Sequence, residues 1–182
     1  DGTQLVTVGR SEALLWRVDG LTLRDPVAIE QGQPTWSVVF GPPGDTVAVG
    51  RADGVIALHS LATGATQTLT GEQGAVAALD FSPDGRYLAA GVNTRGADRE
   101  VGVVQIWNLT AARSPFQVAE AITAEQTLRP FSDAVESVRF SDDGQVLASA
   151  GRDGAIQLWS MADGVPLGEP LRGHLAWIND LA

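Results

Sequence analysis

Phe81-Ser82-Pro83-Asp84-Gly85 has close relatives at Phe40-Gly41-Pro42-Pro43-Gly44 and at Phe140-Ser141-Asp142-Asp143-Gly144. The chain is therefore a tandem repeat. The step from Gly44 to Gly85 is 41 residues. After each glycine comes a small apolar run, then an Asp-Gly or its equivalent, then a second apolar run that ends in an aromatic ring. A period near 40 residues restricts the fold to a few stacked architectures.

The copy Gln145-Val146-Leu147-Ala148-Ser149-Ala150-Gly151-Arg152-Asp153-Gly154-Ala155-Ile156-Gln157-Leu158-Trp159 reads as two short strands joined at Arg152-Asp153-Gly154. Its apolar runs are too short for a packed helix, and Asp-Gly supplies the positive φ of a tight hairpin. Upstream, Ala134 to Phe140 alternates apolar and polar residues, and Asp142-Asp143-Gly144 turns it into the next strand. Downstream, Met161-Ala162-Asp163-Gly164 turns into a more polar strand, Val165 to Arg172. That strand is expected at an exposed edge because it carries Pro166 and Pro170. Each unit is thus a four-stranded antiparallel meander that cannot bury both faces alone. The other copies run Asp45 to His59 then Thr66 to Thr70, and Arg86 to Trp107 then Gln117 to Leu128. Four-stranded units arranged radially predict an all-β fold, an arc of a β-propeller.

These residues resemble the WD-repeat (tryptophan-aspartate) β-propellers, over nearly the whole chain. The family's Gly-His pair is matched by Gly173-His174, and Trp177 to Ala182 looks like the innermost strand of a next blade. Its strand-ending Trp is matched by Trp16, Trp107 and Trp159, with His59 in that place in the second unit, and its turn Asp by Asp53 and Asp153. Departures are numerous. The His place holds Glu72 before the third unit and Phe131 before the fourth, and the Asp after the Trp is replaced by Arg17, Ser60, Asn108 and Ser160. The polar tetrad that the resemblance implies is therefore complete in no blade. The units are read as a partial one over 1–34, then 35–74, 75–133 and 134–175, with 176–182 opening a further blade. The chain begins within a turn and stops where another Phe-Ser-Pro-Asp-Gly is due, so it is expected to be an internal piece of a longer protein, completed by further blades.

Composition narrows the function. There is no cysteine among 182 residues, so neither disulfides nor thiolate metal sites hold the fold. All 12 basic residues are arginine, which with abundant Ala, Gly and Val points to a GC-rich bacterial genome. A formal net charge of −10 speaks against general binding of nucleic acid, which needs clustered cations. No segment has the length and apolarity to span a bilayer as a helix. His59 and His174, the only histidines, both fall on repeat positions, and the acids Asp84, Asp142, Asp143, Asp153 and Asp163 occupy turns, where Asp caps the backbone. Calcium-loop and phosphate-loop motifs are missing, and no cofactor or metal is expected.

One feature exceeds the repeat. Gly85 to Trp107 spans 22 residues against 15 from Gly144 to Trp159, so the third unit carries about seven extra, centred on Val92 to Glu100. A tolerated surface loop is one reading. The other is a partner contact, because the family's topology puts this loop between the second and third strands, on a face that often holds partners. The resemblance implies a non-enzymatic interaction scaffold or sensor in a larger bacterial signalling protein, in the cytoplasm, with a protein or peptide partner. Candidate contact residues are Asn93, Arg95, Asp98, Arg99, Arg152 and Trp177. Alternatives are a propeller hydrolase or lactonase, for which Asp80 and Glu136 are the only acids on the inner strands, and a periplasmic propeller of the TolB type.

Overall fold

A computed structural model describes residues 2–96, 100–110, 122–129 and 133–182. Every element in them is a strand, grouped in four sheets. The first has three strands, β1 (Gln4–Val8), β2 (Glu12–Asp19) and β3 (Thr22–Gln31). The second runs outward as β4 (Thr35–Gly41), β5 (Thr46–Arg51), β6 (Ile56–Ser60) and β7 (Thr66–Thr70). The third holds β8 (Ala75–Phe81), β9 (Tyr87–Arg95), β10 (Glu100–Asn108) and β12 (Gln126–Leu128), and the fourth β13 (Val135–Phe140), β14 (Val146–Gly151), β15 (Ala155–Ser160) and β16 (Leu171–Arg172). The four-stranded sheets are antiparallel meanders, as the repeat requires.

The repeated phrase is a hydrogen-bonded turn. Ser82 Oγ donates to Asp84 Oδ1 at 2.6 Å, that oxygen accepts the Arg86 N–H at 3.0 Å, and Ser82 Oγ accepts the Tyr87 N–H at 2.9 Å. Ser141, Asp143, Gln145 and Val146 repeat the set. Gly85 and Gly144 turn the chain at φ of 67° and 69°, where a side chain would be strained. Donation from the serine hydroxyls is the largest influence holding the Asp84 and Asp143 carboxyls below their usual range. The first copy has no serine but keeps the backbone bond that all three turns share, Gly44 N–H to the Gly41 carbonyl at 2.6 Å, as Gly85 N–H bonds the Ser82 carbonyl and Gly144 N–H the Ser141 carbonyl.

Strand alternation packs the sheets face to face. In β5, Val47 and Val49 join Ala13 of the first sheet, while Ala48 points the other way toward Val76, Leu88 and Trp107 of the third. In β10, Val103 and Trp107 face the second sheet, and Val104 and Ile106 face Val135, Leu147 and Trp159 of the fourth. A period of two thus gives each middle sheet two apolar faces and one neighbour on each.

Polar clamps join the aromatic residues to their surroundings. Trp16 Nε1 donates to Thr7 Oγ1 and Trp159 Nε1 to Ser149 Oγ, both at 2.9 Å. Trp107 Nε1 crosses to the Thr70 carbonyl of the second sheet at 3.1 Å. His59, in the tryptophan place, contacts Thr66 Oγ1 through Nδ1 at 3.0 Å. Asp53 and Asp153 accept the N–H two residues on, from Val55 and Ala155, so they cap their own turns.

Several sequence expectations are corrected. Val165 to Arg172 forms only the two-residue β16 and an isolated bridge from Pro166 to Trp159, because its prolines remove ladder donors. Within Gln117 to Leu128, only β12 lies on the outer edge of the third sheet. Ile122–Thr123 (β11) instead pairs in parallel with β7, adding a fifth strand to the second sheet, and residues 111–121 lie outside the described residues. Trp177 to Ala182 is not a strand. It is an irregular segment tied by Ile178 N–H to the Gly151 carbonyl and by Leu181 N–H to Ser137 Oγ, with Ile178 buried.

Candidate interaction face

Strand register defines two ends of the arc. Thr35 opens β4 opposite Arg51, the last residue of β5, and Val135 opens β13 opposite Gly151. The starts of the inner strands, the Arg152-Asp153-Gly154 turn and the longer β9–β10 hairpin therefore share one end. The turns at 42–45, 82–86 and 141–145 occupy the other.

At the first end, Arg152 ties three parts of the chain together. Its Nε donates to Glu136 Oε1 of β13 and its Nη1 to Glu100 Oε2 of β10 in the preceding sheet, each at 2.6 Å. Its Cζ lies 4.8 Å from the ring centroid of Trp177. That ring is 61% exposed, and Trp36, on β4 at the same end, is 60% exposed. Leu175, two residues before Trp177, is fully exposed as well.

The extra residues of the third unit extend the hairpin. Pairing continues from Trp107↔Leu88 out to Glu100↔Arg95, so Asn93, Thr94 and Arg95 are strand residues. Asn93 was expected at a partner contact, and its side chain is occupied inside the protein. It is buried, its Nδ2 donates to the Val135 carbonyl at 3.0 Å, and its Oδ1 accepts the Val135 N–H at 2.8 Å. Arg95 is exposed at the tip of β9, and Asp98 and Arg99 lie outside the described residues. Arg152 and Trp177 are brought together; Asn93 is withdrawn from the surface. His174 is exposed, and its carbonyl oxygen would stand 2.8 Å from a side-chain carbon at Gly154.

Sequence reasoning passed over Glu100 as a ligand for Arg152 and Trp36 as an exposed ring. A signal for Trp36 was present, since the equivalent places hold Ala77 and Glu136, neither of them a core residue. Glu100 carried no such signal, because its partner is 52 residues away.

Side chains also join neighbouring inner strands. Ser37 Oγ donates to the Val76 carbonyl at 2.7 Å, and Asp80 Oδ2 accepts the Phe140 N–H at 2.7 Å. Desolvation raises the Asp80 carboxyl above its usual range, although Phe140 N–H and Arg139 oppose it. At the other end, a cleft of about 510 Å³ lies between the turns of Asp84 and Asp143, whose carboxylates already cap those turns. Among the described residues, no group of three metal-binding side chains occurs, and no helix is long and apolar enough to cross a membrane.

Four radially related sheets with this turn chemistry have counterparts. The family described as WD domain, G-beta repeat matches residues 64–108 and 123–160. The chain belongs to the WD-repeat family. An uncharacterised WD repeat-containing protein of Synechocystis sp. is 30% identical over 129 residues, 55% of this chain and 36% of that protein. The chromatin assembly factor 1 subunit FAS2 homolog of Oryza sativa is 27% identical over 160 residues, covering 82% and 29%. WD repeat-containing protein 1 of Bos taurus is 27% identical over 154 residues, covering 79% and 23%. The WD-repeat chain thus spans about a quarter to just over a third of these relatives' length. In solved structures, a chain of the mitotic checkpoint complex matches 96% of this chain with 48% of its own, at a TM-score of 0.76 and 19% identity, a likeness of fold. The propeller arc inferred from the repeat is borne out.

Proposed function

We propose that this WD-repeat chain belongs to a protein-interaction module without chemistry of its own, and that the Arg152 end holds the partner. The exposure of Trp36 and Trp177 at one end carries this reading. Two large rings left in water at the end that also carries the Arg152 cluster are the composition of an interface, where Trp and Arg contribute most of the binding energy. Relatives named only for their WD repeats or for assembly factors agree with it. The two acids on which the enzyme alternative depends are occupied internally, Asp80 by Phe140 and Arg139 and Glu136 by Arg152. The Synechocystis relative and the all-arginine composition favour a bacterial source, and we place the module in a signalling protein of the cytoplasm.

The test is partner recovery by the full-length protein carrying Trp36→Ala and Trp177→Ala, beside Leu21→Ala at the opposite end. Loss of a specific partner with the first pair only, at an unchanged melting temperature, is the expected result. Equal recovery by all variants would place the contact elsewhere.

A further inference from the structure

We infer that Glu30, Arg51 and His59 form an acid-sensitive joint between the first and second sheets that regulates the Trp36 end: a proton taken up by His59 loosens the first sheet and frees Trp36 from its place. The inference rests on the interaction reading of this end and adds its regulation. The three side chains are nearly enclosed, Glu30 at 9%, His59 at 10% and Arg51 at 18% exposure. Arg51 Nη2 donates to both Glu30 oxygens, at 3.0 and 2.9 Å, so one guanidinium already balances the one carboxylate. Charged groups reach the imidazole from β3 (Glu30, 3.3 Å from Nε2) and β5 (Arg51), while β7 presents the Thr66 hydroxyl at 3.0 Å from Nδ1. A neutral ring leaves the cluster balanced, and a protonated one leaves a surplus positive charge where there is little water. Burial is the largest influence on the ring and holds it below its usual range; attraction to Glu30 offsets this in part.

The joint is a thin seam, and it adjoins the interaction face. Between the first and second sheets the buried apolar residues are Ala13, Val47 and Val49, all small, flanked by partly buried ones such as Ile29 and Phe40. Ile56, Leu69, Leu88 and Trp107 fill the seam between the second and third. A seam with less buried apolar area opens at lower cost. Arg51 stands across the ladder from Thr35, whose Oγ1 donates to the Gly9 carbonyl at 2.6 Å and lies 3.1 Å from the Glu12 carbonyl, both in the first sheet. Trp36 follows Thr35 at a shift of register that leaves it without a ladder partner on β5. Its place therefore depends on Thr35, and through Thr35 on the first sheet. Asp80, between the third and fourth sheets, responds in the opposite sense. Burial raises its carboxyl, so a proton there removes a buried charge and spares that seam.

Hydrogen exchange of the full-length protein, read by mass spectrometry and corrected for the intrinsic pH dependence of amide exchange, tests the joint between about pH 7.5 and 5.5. Above the open-state pKa of about 6.5 neither the closed nor the open joint carries the proton; below it the open joint takes it first. Protection in peptides covering residues 5–16 and 33–51 is expected to fall about three- to tenfold on acidification, and in the reference stretch 134–160 by less than about twofold. His59→Gln should abolish the local fall, and His59→Asn serves if the first variant does not fold. A fall shared equally by 134–160, or one that persists in a folded His59 variant, overturns the inference. Constant protection of 5–16 and 33–51 in the parent overturns it without any variant. Recovery of the natural partner separates the joint from the proposed function. The expected local fall, with recovery indifferent to Trp36→Ala, would uphold the joint and count against the proposed function. Recovery that requires Trp36, with protection constant across the pH range, would overturn the joint alone.

Discussion

Asn93 holds Val135 by both backbone groups, donating from Nδ2 to its carbonyl at 3.0 Å and accepting its N–H through Oδ1 at 2.8 Å. The two residues are 42 apart in sequence and belong to neighbouring sheets, so one side chain completes the start of β13 as a ladder partner would. Val135 is fully buried, which leaves no water to take over either bond.

Asn93→Ala should therefore cost about 2 to 4 kcal/mol, because two buried backbone groups lose their partners together. Asn93→Asp should not rescue the loss, since it sets a carboxylate oxygen against the Val135 carbonyl. Urea unfolding of the full-length protein measures both. A loss under about 0.5 kcal/mol in either would mean that β13 is held without this contact.

The four tryptophans at Trp36, Trp107, Trp159 and Trp177 should separate into two classes. Trp107 is wholly buried and Trp159 nearly so, and truncation of either to Ala should cost about 3 to 5 kcal/mol through lost burial and the cavity left behind. Trp36→Ala and Trp177→Ala should stay within about 0.5 kcal/mol of the parent. Thermal melts distinguish the classes. Similar losses at all four positions would contradict the burial pattern.

What the sequence revealed was local, and what it hid was contact between distant residues. The Ser-x-Asp-Gly turns at Gly85 and Gly144 are closed by residues within five of one another, so a single copy displays its own chemistry. Trp107 and Trp159 were legible as packing residues because they end apolar strands of fixed period. Asn93 is buried although Asn-Thr-Arg-Gly has the composition of a turn, because the pairing of Arg95 with Glu100 keeps it inside a ladder and against Val135. The parallel pairing of β11 with β7 could not be read from either strand alone. Nor could Glu30, an ordinary acid at the end of a polar strand, be seen to meet Arg51 and His59 of the next unit.

Gly151 should be intolerant of alanine although its φ is not in the left-handed region. A Cβ there would collide with the Ala134 carbonyl oxygen, a backbone atom that also accepts the Arg152 N–H. Because backbone cannot rotate aside as a side chain can, Gly151→Ala should cost about 1 to 3 kcal/mol. Gly64 is the contrast, with open space around it and φ of 71°, so that only local strain of about 1 kcal/mol is expected. Denaturant midpoints of the two variants decide the matter; a neutral Gly151→Ala would show that β13 and β14 can separate to admit the methyl group.

Stability should fall as the solution is acidified below about pH 6.5, through His59. The ring is buried between Glu30, whose Oε2 stands 3.3 Å from Nε2, and Thr66 on Nδ1, while Arg51 donates to both Glu30 oxygens at 3.0 and 2.9 Å. Desolvation is the largest influence on the imidazole and lowers its pKa below 6.5; Glu30 raises it, by less, and Arg51 adds to the lowering. Above the unfolded pKa neither state carries the proton, and the full stability is present. As pH drops past it, the unfolded chain binds the proton first and the folded chain lags, so unfolding is favoured until the folded pKa is passed. His59→Gln removes this titration and should flatten the slope between about pH 7 and 5.5 in denaturant midpoints, whatever it does to absolute stability. A slope that survives His59→Gln unchanged would assign it to other groups. A parent protein that gained stability on acidification, and lost that gain with His59→Gln, would show that the pair with Glu30 outweighs desolvation and that the imidazole is held charged between the sheets.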